Sequence, residues 1–148
     1  MNIVDIAAYS PEGELQLVVE VKASKGVSED WGGKLRRNMA AHGLVPNTKF
    51  FLLALHSYFY LWLDAQSLEV TAADYKVPTK DVLQPYLLEL DSEGLTEQSL
   101  ELLIMAWLRD LMNSDLTRES AGAKLSWLFD SGLYESIHHG SLSSQVAA

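Results

Sequence analysis

The sequence predicts an α/β (α+β) domain with a mixed central sheet of about four to five strands, flanking helices and a C-terminal helical pair. Three observations predict it. Two strand-like runs, Ile3-Val4-Asp5-Ile6-Ala7-Ala8-Tyr9 and Glu14-Leu15-Gln16-Leu17-Val18-Val19-Glu20-Val21-Lys22, flank the turn-forming Ser10-Pro11-Glu12-Gly13. A nearly continuous apolar run at 48–55, followed by an aromatic run at 58–63, suits strands buried on both faces. Leu100, Leu103, Ile104, Trp107, Leu108 and Leu111 then line one face of a helix.

In the first hairpin, the two-residue period of a strand puts Leu15, Leu17, Val19 and Val21 on one face and Gln16, Val18, Glu20 and Lys22 on the other. Pairing Ser10 with Gly13 sets Asp5 opposite Val18, diagonal to Glu20 and on its face. A bulge at Gly13 would shift the pairing by one residue and turn Asp5 away.

A helix is expected over about 29–42, carrying Lys34, Arg36 and Arg37 and stopping at Gly43. The break at His56-Ser57 makes a tight hairpin of the next two runs. Residues 64–94 read as loops with one short helix. Thr96 is the expected N-cap of the periodic helix, and a second helix is expected over about 120–137. Residues 140–148 read as a flexible tail. The chain is thus one domain over 1–139, with core strands and helix at 3–63 and a helical part at 96–137.

Composition narrows the function. The 148-residue chain has no cysteine, which excludes disulfides, zinc–thiolate sites and thiol nucleophiles and fits a cytoplasmic protein. No secretory signal opens the sequence, and the apolar stretch 50–63 is too short to cross a bilayer as a helix, so a soluble protein without a membrane partner is expected. The net charge of −9 argues against gripping nucleic acid over the whole surface. Residues 1–49 carry six basic and six acidic groups, so any polyanion contact belongs there.

Asp5, Glu20 and Lys22 form the chemically interesting group. Two carboxylates can hold a hard divalent cation such as Mg²⁺ or Mn²⁺, the carbonyl of Val21 can add a ligand, and the ammonium can orient or help deprotonate a water. Phosphodiester hydrolysis needs that combination. Val4-Asp5-Ile6 and Val18-Val19-Glu20-Val21-Lys22 resemble the PD-(D/E)XK nuclease superfamily, whose core is a helix, a three-stranded meander, a helix and a further strand.

The resemblance covers about residues 3–63 and implies a restriction-endonuclease-like fold. It implies Mg-dependent cleavage of DNA, with Asp5 and Glu20 as metal ligands and Lys22 as the catalytic lysine. The helix that usually opens the family's core has no counterpart before the first strand; the C-terminal helices or a second subunit are expected to fill its place. Lys25, Lys34 and Arg37 are the candidates for nucleic-acid contact.

The rival reading is a catalytically inactive nuclease-like module that assembles with itself or with a partner protein through its C-terminal helices. A subunit of a larger DNA-processing system is a third. Lys34, Arg36 and Arg37 read equally well as a solvated helix face. His42 suits a helix C-terminus and His56 a turn. His138 and His139, about 100° apart if helical, need further ligands to share a metal.

Overall fold

Residues 2–23, 28–44, 48–87 and 94–147 are described by the structure, a computed structural model. The first hairpin is present as strands β1 (Asn2–Tyr9) and β2 (Leu15–Val21). Helix α1 (Glu29–Ala41) follows, its Ser28 N-cap accepting the Trp31 N–H. Strands β3 (Phe50–Ala54) and β4 (Tyr58–Trp62) form the aromatic-rich hairpin. The stretch expected to be loops holds strand β5 (Tyr75–Pro78) as well as helix α2 (Thr79–Leu87).

Helix α3 (Glu97–Asn113) opens at the anticipated Thr96 cap, whose side chain accepts the Ser99 N–H. The single helix expected over 120–137 is instead broken into α4 (Arg118–Ala121), a 3-10 turn (Ala123–Leu125), α5 (Trp127–Asp130) and α6 (Leu133–Ile137). Gly122 and Gly132 interrupt it with φ of 81° and 83°, a backbone state that ends an α-helix and that glycine adopts at no steric cost.

Strand β6 (Ser141–Ala147) replaces the expected flexible tail. It pairs antiparallel with β1, giving a six-stranded mixed sheet in the order β5-β4-β3-β2-β1-β6. The sheet is thus larger than the four to five strands anticipated. Small polar residues carry no hydrophobic alternation, yet β1 is buried and its outer backbone groups need partners. Gly140 starts the strand in close contact with the Tyr9 carbonyl, where a Cβ would overlap the oxygen.

Among the described residues only β2 and β3 pair in parallel, joined across the sheet by α1; the remaining neighbours are antiparallel. One core lies between the sheet and the C-terminal helices, built from Leu17, Val19, Leu52, Leu61, Leu100, Ile104 and Trp107 among others. A smaller one, with Val18, Phe51, Leu53 and Trp62, lies under α1. Among the described residues no helix is long and apolar enough to cross a membrane.

The hairpin register differs from the simplest one by two shifts. Ser10 and Pro11-Glu12-Gly13 form the turn, with Gly13 at φ 84°, but the Ser10 N–H donates to the carbonyl of Glu14 rather than Gly13. A bulge then separates the pair Tyr9↔Leu15 from Ala8↔Leu17. Each device shifts the pairing by one residue, so together they restore the facing that either alone would reverse. The change of side is visible in packing: Leu15 sits against the α1 core, Leu17 under the C-terminal helices.

Candidate functional site: a carboxylate cluster at the ends of β1 and β2

The ladder between β1 and β2 ends at Ile6↔Val19, and Asp5 and Glu20 are the next residue of each strand beyond that last pair. The two are therefore neighbours as anticipated, but Val18 pairs with Ala7 rather than with Asp5. Local irregularity adds to it. Val4 packs against the α1 core and Ile6 under the C-terminal helices, although alternate strand residues should share a face. Strand β1 therefore turns over at Asp5. Its carboxylate takes up the backbone group that the turn frees, with Oδ2 accepting the Val21 N–H at 2.7 Å.

The two backbone groups of one strand residue point to the same side. Because the Val21 N–H is directed at Asp5, the Val21 carbonyl is directed to that side too. The Lys22 N–H points the other way, to Ala54 of β3 at 3.1 Å.

Glu20 is 7% exposed. One of its oxygens, Oε1, meets the Lys22 ammonium at 3.0 Å. The other, Oε2, is buried without a hydrogen-bond partner. A buried carboxylate oxygen in that state is costly. Burial, and then the charge of Asp5, push the Glu20 carboxyl up to about 7 against the opposing pull of Lys22.

Burial alone would lower the Lys22 ammonium, but the hydrogen bond to Glu20 and the charges of Glu20, Glu97 and Asp5 outweigh it and raise its pKa. Lys22 is therefore held as a cation.

Two further acids come from α3 and escape a reading of the sequence. Glu97 accepts the Ala23 N–H through Oε1 at 3.0 Å, 74 residues away along the chain. Glu101, one helical turn further on, lies within the field of Asp5 and Glu97; burial first, and these two charges second, raise its carboxyl. Their spacing on a helix was legible in the sequence, but nothing local told them from ordinary solvent-facing acids. Among the described residues, Asp115, His138 and His139 bring one ligand atom each to within 4.8 Å of one another, and the carboxylates around Asp5 and Glu20 do not form such a three-residue group.

The basic helix does something else than anticipated. Arg36 is fully buried and donates to the carbonyls of Ala65 at 3.3 Å, Ser67 at 2.8 Å and Glu69 at 2.6 Å. It pins the loop after β4, with burial lowering its pKa against the pull of Asp64. Arg37 turns to the same loop, its Nε donating to the Leu68 carbonyl at 3.1 Å. Lys34 stays exposed on α1. Lys25 lies outside the described residues. His42 is the C-cap of α1, and His56 is buried in its turn with Nε2 donating to the Leu95 carbonyl at 2.6 Å.

Comparison of the chain with family models, with curated proteins and with solved structures finds no match.

Proposed function

We propose that this chain is a metal-dependent nuclease of restriction-endonuclease-like fold that hydrolyses DNA phosphodiester bonds. The observation that carries the reading is the Asp5–Val21–Glu20–Lys22 group. Asp5 is anchored on the Val21 amide, and Glu20 holds Lys22 with one oxygen while the other is buried without a partner.

The donor set fits a hard cation. Asp5, Glu20 and the Val21 carbonyl would hold Mg²⁺ or Mn²⁺, all through oxygen. Bound there, the cation would neutralise charge developing on the phosphate and make a bound water more acidic. The chain's own residues do the rest. Glu20 meets its missing partner on ionising, and fixes the Lys22 ammonium in place. Lys22, kept protonated, acts as a donor that orients the attacking water or a phosphoryl oxygen. Glu97 and Glu101 keep the rim acidic, so phosphate approaches only once positive charge has been supplied.

The topology supports the same reading. Strands β6, β1 and β2 lie side by side, each antiparallel to the next, and α1 then leads to β3 parallel to β2. This order resembles the meander, helix and strand expected of the superfamily core, except that β6 comes from late in the chain, and α3 packs beside β2 and β6. On this reading α3 and β6, from late in the chain, stand where the leading helix and first strand would be.

The test is nicking of supercoiled plasmid in Mg²⁺ or Mn²⁺. Cleavage by the unaltered chain that drops by at least about 100-fold in Asp5→Asn and Lys22→Ala supports it. Cleavage indifferent to Lys22→Ala rejects it. The net charge of −9 favours one rival, a nuclease-like interaction module without activity. That rival gains if calorimetry shows Mg²⁺ binding lost in Asp5→Asn, no strand is cut, and sedimentation shows self-association.

A further inference from the structure

A second group of metal-ligating side chains lies away from the carboxylate cluster, where α6 passes into β6. Helix α6 ends at Ile137, so His138 and His139 lie just beyond it and are not helical. His138 takes an extended backbone and His139 takes φ 63°, the one non-glycine residue with positive φ among the described residues. That strained step folds one ring over the other, with centroids 3.8 Å apart. Both Nε2 atoms come to the same oxygen, Asp115 Oδ1, at 3.1 Å and 3.5 Å.

These separations suit one ion. Ligand atoms about 2.0–2.1 Å from a tetrahedral centre are about 3.3 Å apart. The three ligand atoms lie within 4.8 Å of one another, so small side-chain rotations suffice. The surroundings hold them there. Tyr134 stacks on the His138 ring at 4.7 Å, while its hydroxyl donates to the Ser114 carbonyl at 2.6 Å and accepts the Leu116 N–H at 2.9 Å. The residues on both sides of Asp115 are thereby tied to α6, the helix that leads into His138. The His139 N–H donates to the Met112 carbonyl at 2.9 Å, and Gly140 is fixed against Tyr9.

We propose that Asp115, His138 and His139 form a site for Zn²⁺ or a chemically similar transition-metal dication, with solvent completing the shell. Two imidazoles and one carboxylate prefer such an ion to Mg²⁺. The site ties the α3–α4 loop to the start of β6, so occupancy steadies the edge strand beside β1. It stands independently of the nuclease reading.

The test uses the full chain without a histidine tag, stripped of metal and titrated with Zn²⁺ by calorimetry and with Co²⁺ by visible absorption. One Zn²⁺ per chain is expected, with tetrahedral-type Co²⁺ bands. Asp115→Asn and His138→Gln should each weaken binding more than the roughly 10–100-fold that loss of an outer-shell partner costs. His139→Gly should lose Zn²⁺ equally while the melting temperature of the metal-free chain does not fall, because glycine accepts the positive φ. No uptake by the unaltered chain, or uptake unchanged in the three ligand variants, would each overturn the proposal.

Discussion

The two groups of potential ligands differ in what it costs the protein to build them. The Asp5–Glu20 group lies where strands are buried, so Glu20 is desolvated before any ligand arrives, and one of its oxygens has no partner. The Asp115–His138–His139 group sits at the surface, with the Asp115 side chain 85% exposed, and its cost is a single strained backbone step at His139. Electrostatic strain stored in the first makes it depend on charge. Conformational strain in the second makes it depend on geometry.

The largest effect that separates them is pH. In the metal-free chain the Glu20 carboxyl is raised from 4.5 to about 7, so the folded state binds more protons than the unfolded one between these values. Stability is then fully present below pH 4.5 and falls as pH rises through 7, by at most about 3 kcal/mol. Denaturant unfolding at a series of pH values should show that fall in the unaltered chain and not in Glu20→Gln. Saturating Mg²⁺ should reduce it, since a cation favours the ionised form. A curve with no fall in the metal-free chain would mean that Glu20 is not desolvated as described.

Next in size is the anchor of the buried group. Asp5→Ala leaves the Val21 N–H without its acceptor and should cost about 1–3 kcal/mol. Asp5→Asn keeps an acceptor oxygen, so chemical denaturation should find most of that stability restored while Mg²⁺ affinity stays lost. Equal stability of the two variants would remove the hydrogen bond from the account.

Smaller still, and opposite in sign, is His139→Gly. Relieving φ 63° should stabilise the metal-free chain by up to about 1 kcal/mol in a thermal melt. Asp115→Asn should be the quietest change without metal, within about 0.5 kcal/mol, because its contacts are exposed. A larger loss there would show that the imidazole–carboxylate contacts support the fold without an ion.

The same contrast explains what could be read from sequence. Asp5, Glu20 and Lys22 were legible because a strand has a fixed two-residue period and the turn at Pro11-Glu12-Gly13 has its own residue preferences. Their register was not, because the bulge at Gln16 leaves no local signal, and two shifts happened to cancel. The face of α3 was legible from Leu100 to Leu111, whereas Glu97 and Glu101 gained their place only when α3 packed beside β2. Arg36 looked like a solvated charge because its partners are carbonyls of a loop about thirty residues downstream. The expected helix end near Ile137 was legible, whereas the meeting of His138 and His139 on Asp115 was not, because it depends on the positive φ at His139 and on a loop more than twenty residues upstream.

The pairing of Asn2 with Ala147 at one margin of the sheet also has a consequence for how the chain acquires its structure. During synthesis β1 emerges before β6, with the other described elements between them, so the outer side of β1 stays unpaired while those elements are made. Through that interval its unpaired N–H and C=O groups form a template that the same segment of another nascent copy can match. Correct closure is then a race between a distant intramolecular partner and a neighbouring chain, and expression at high local concentration tilts it toward exchanged or aggregated products.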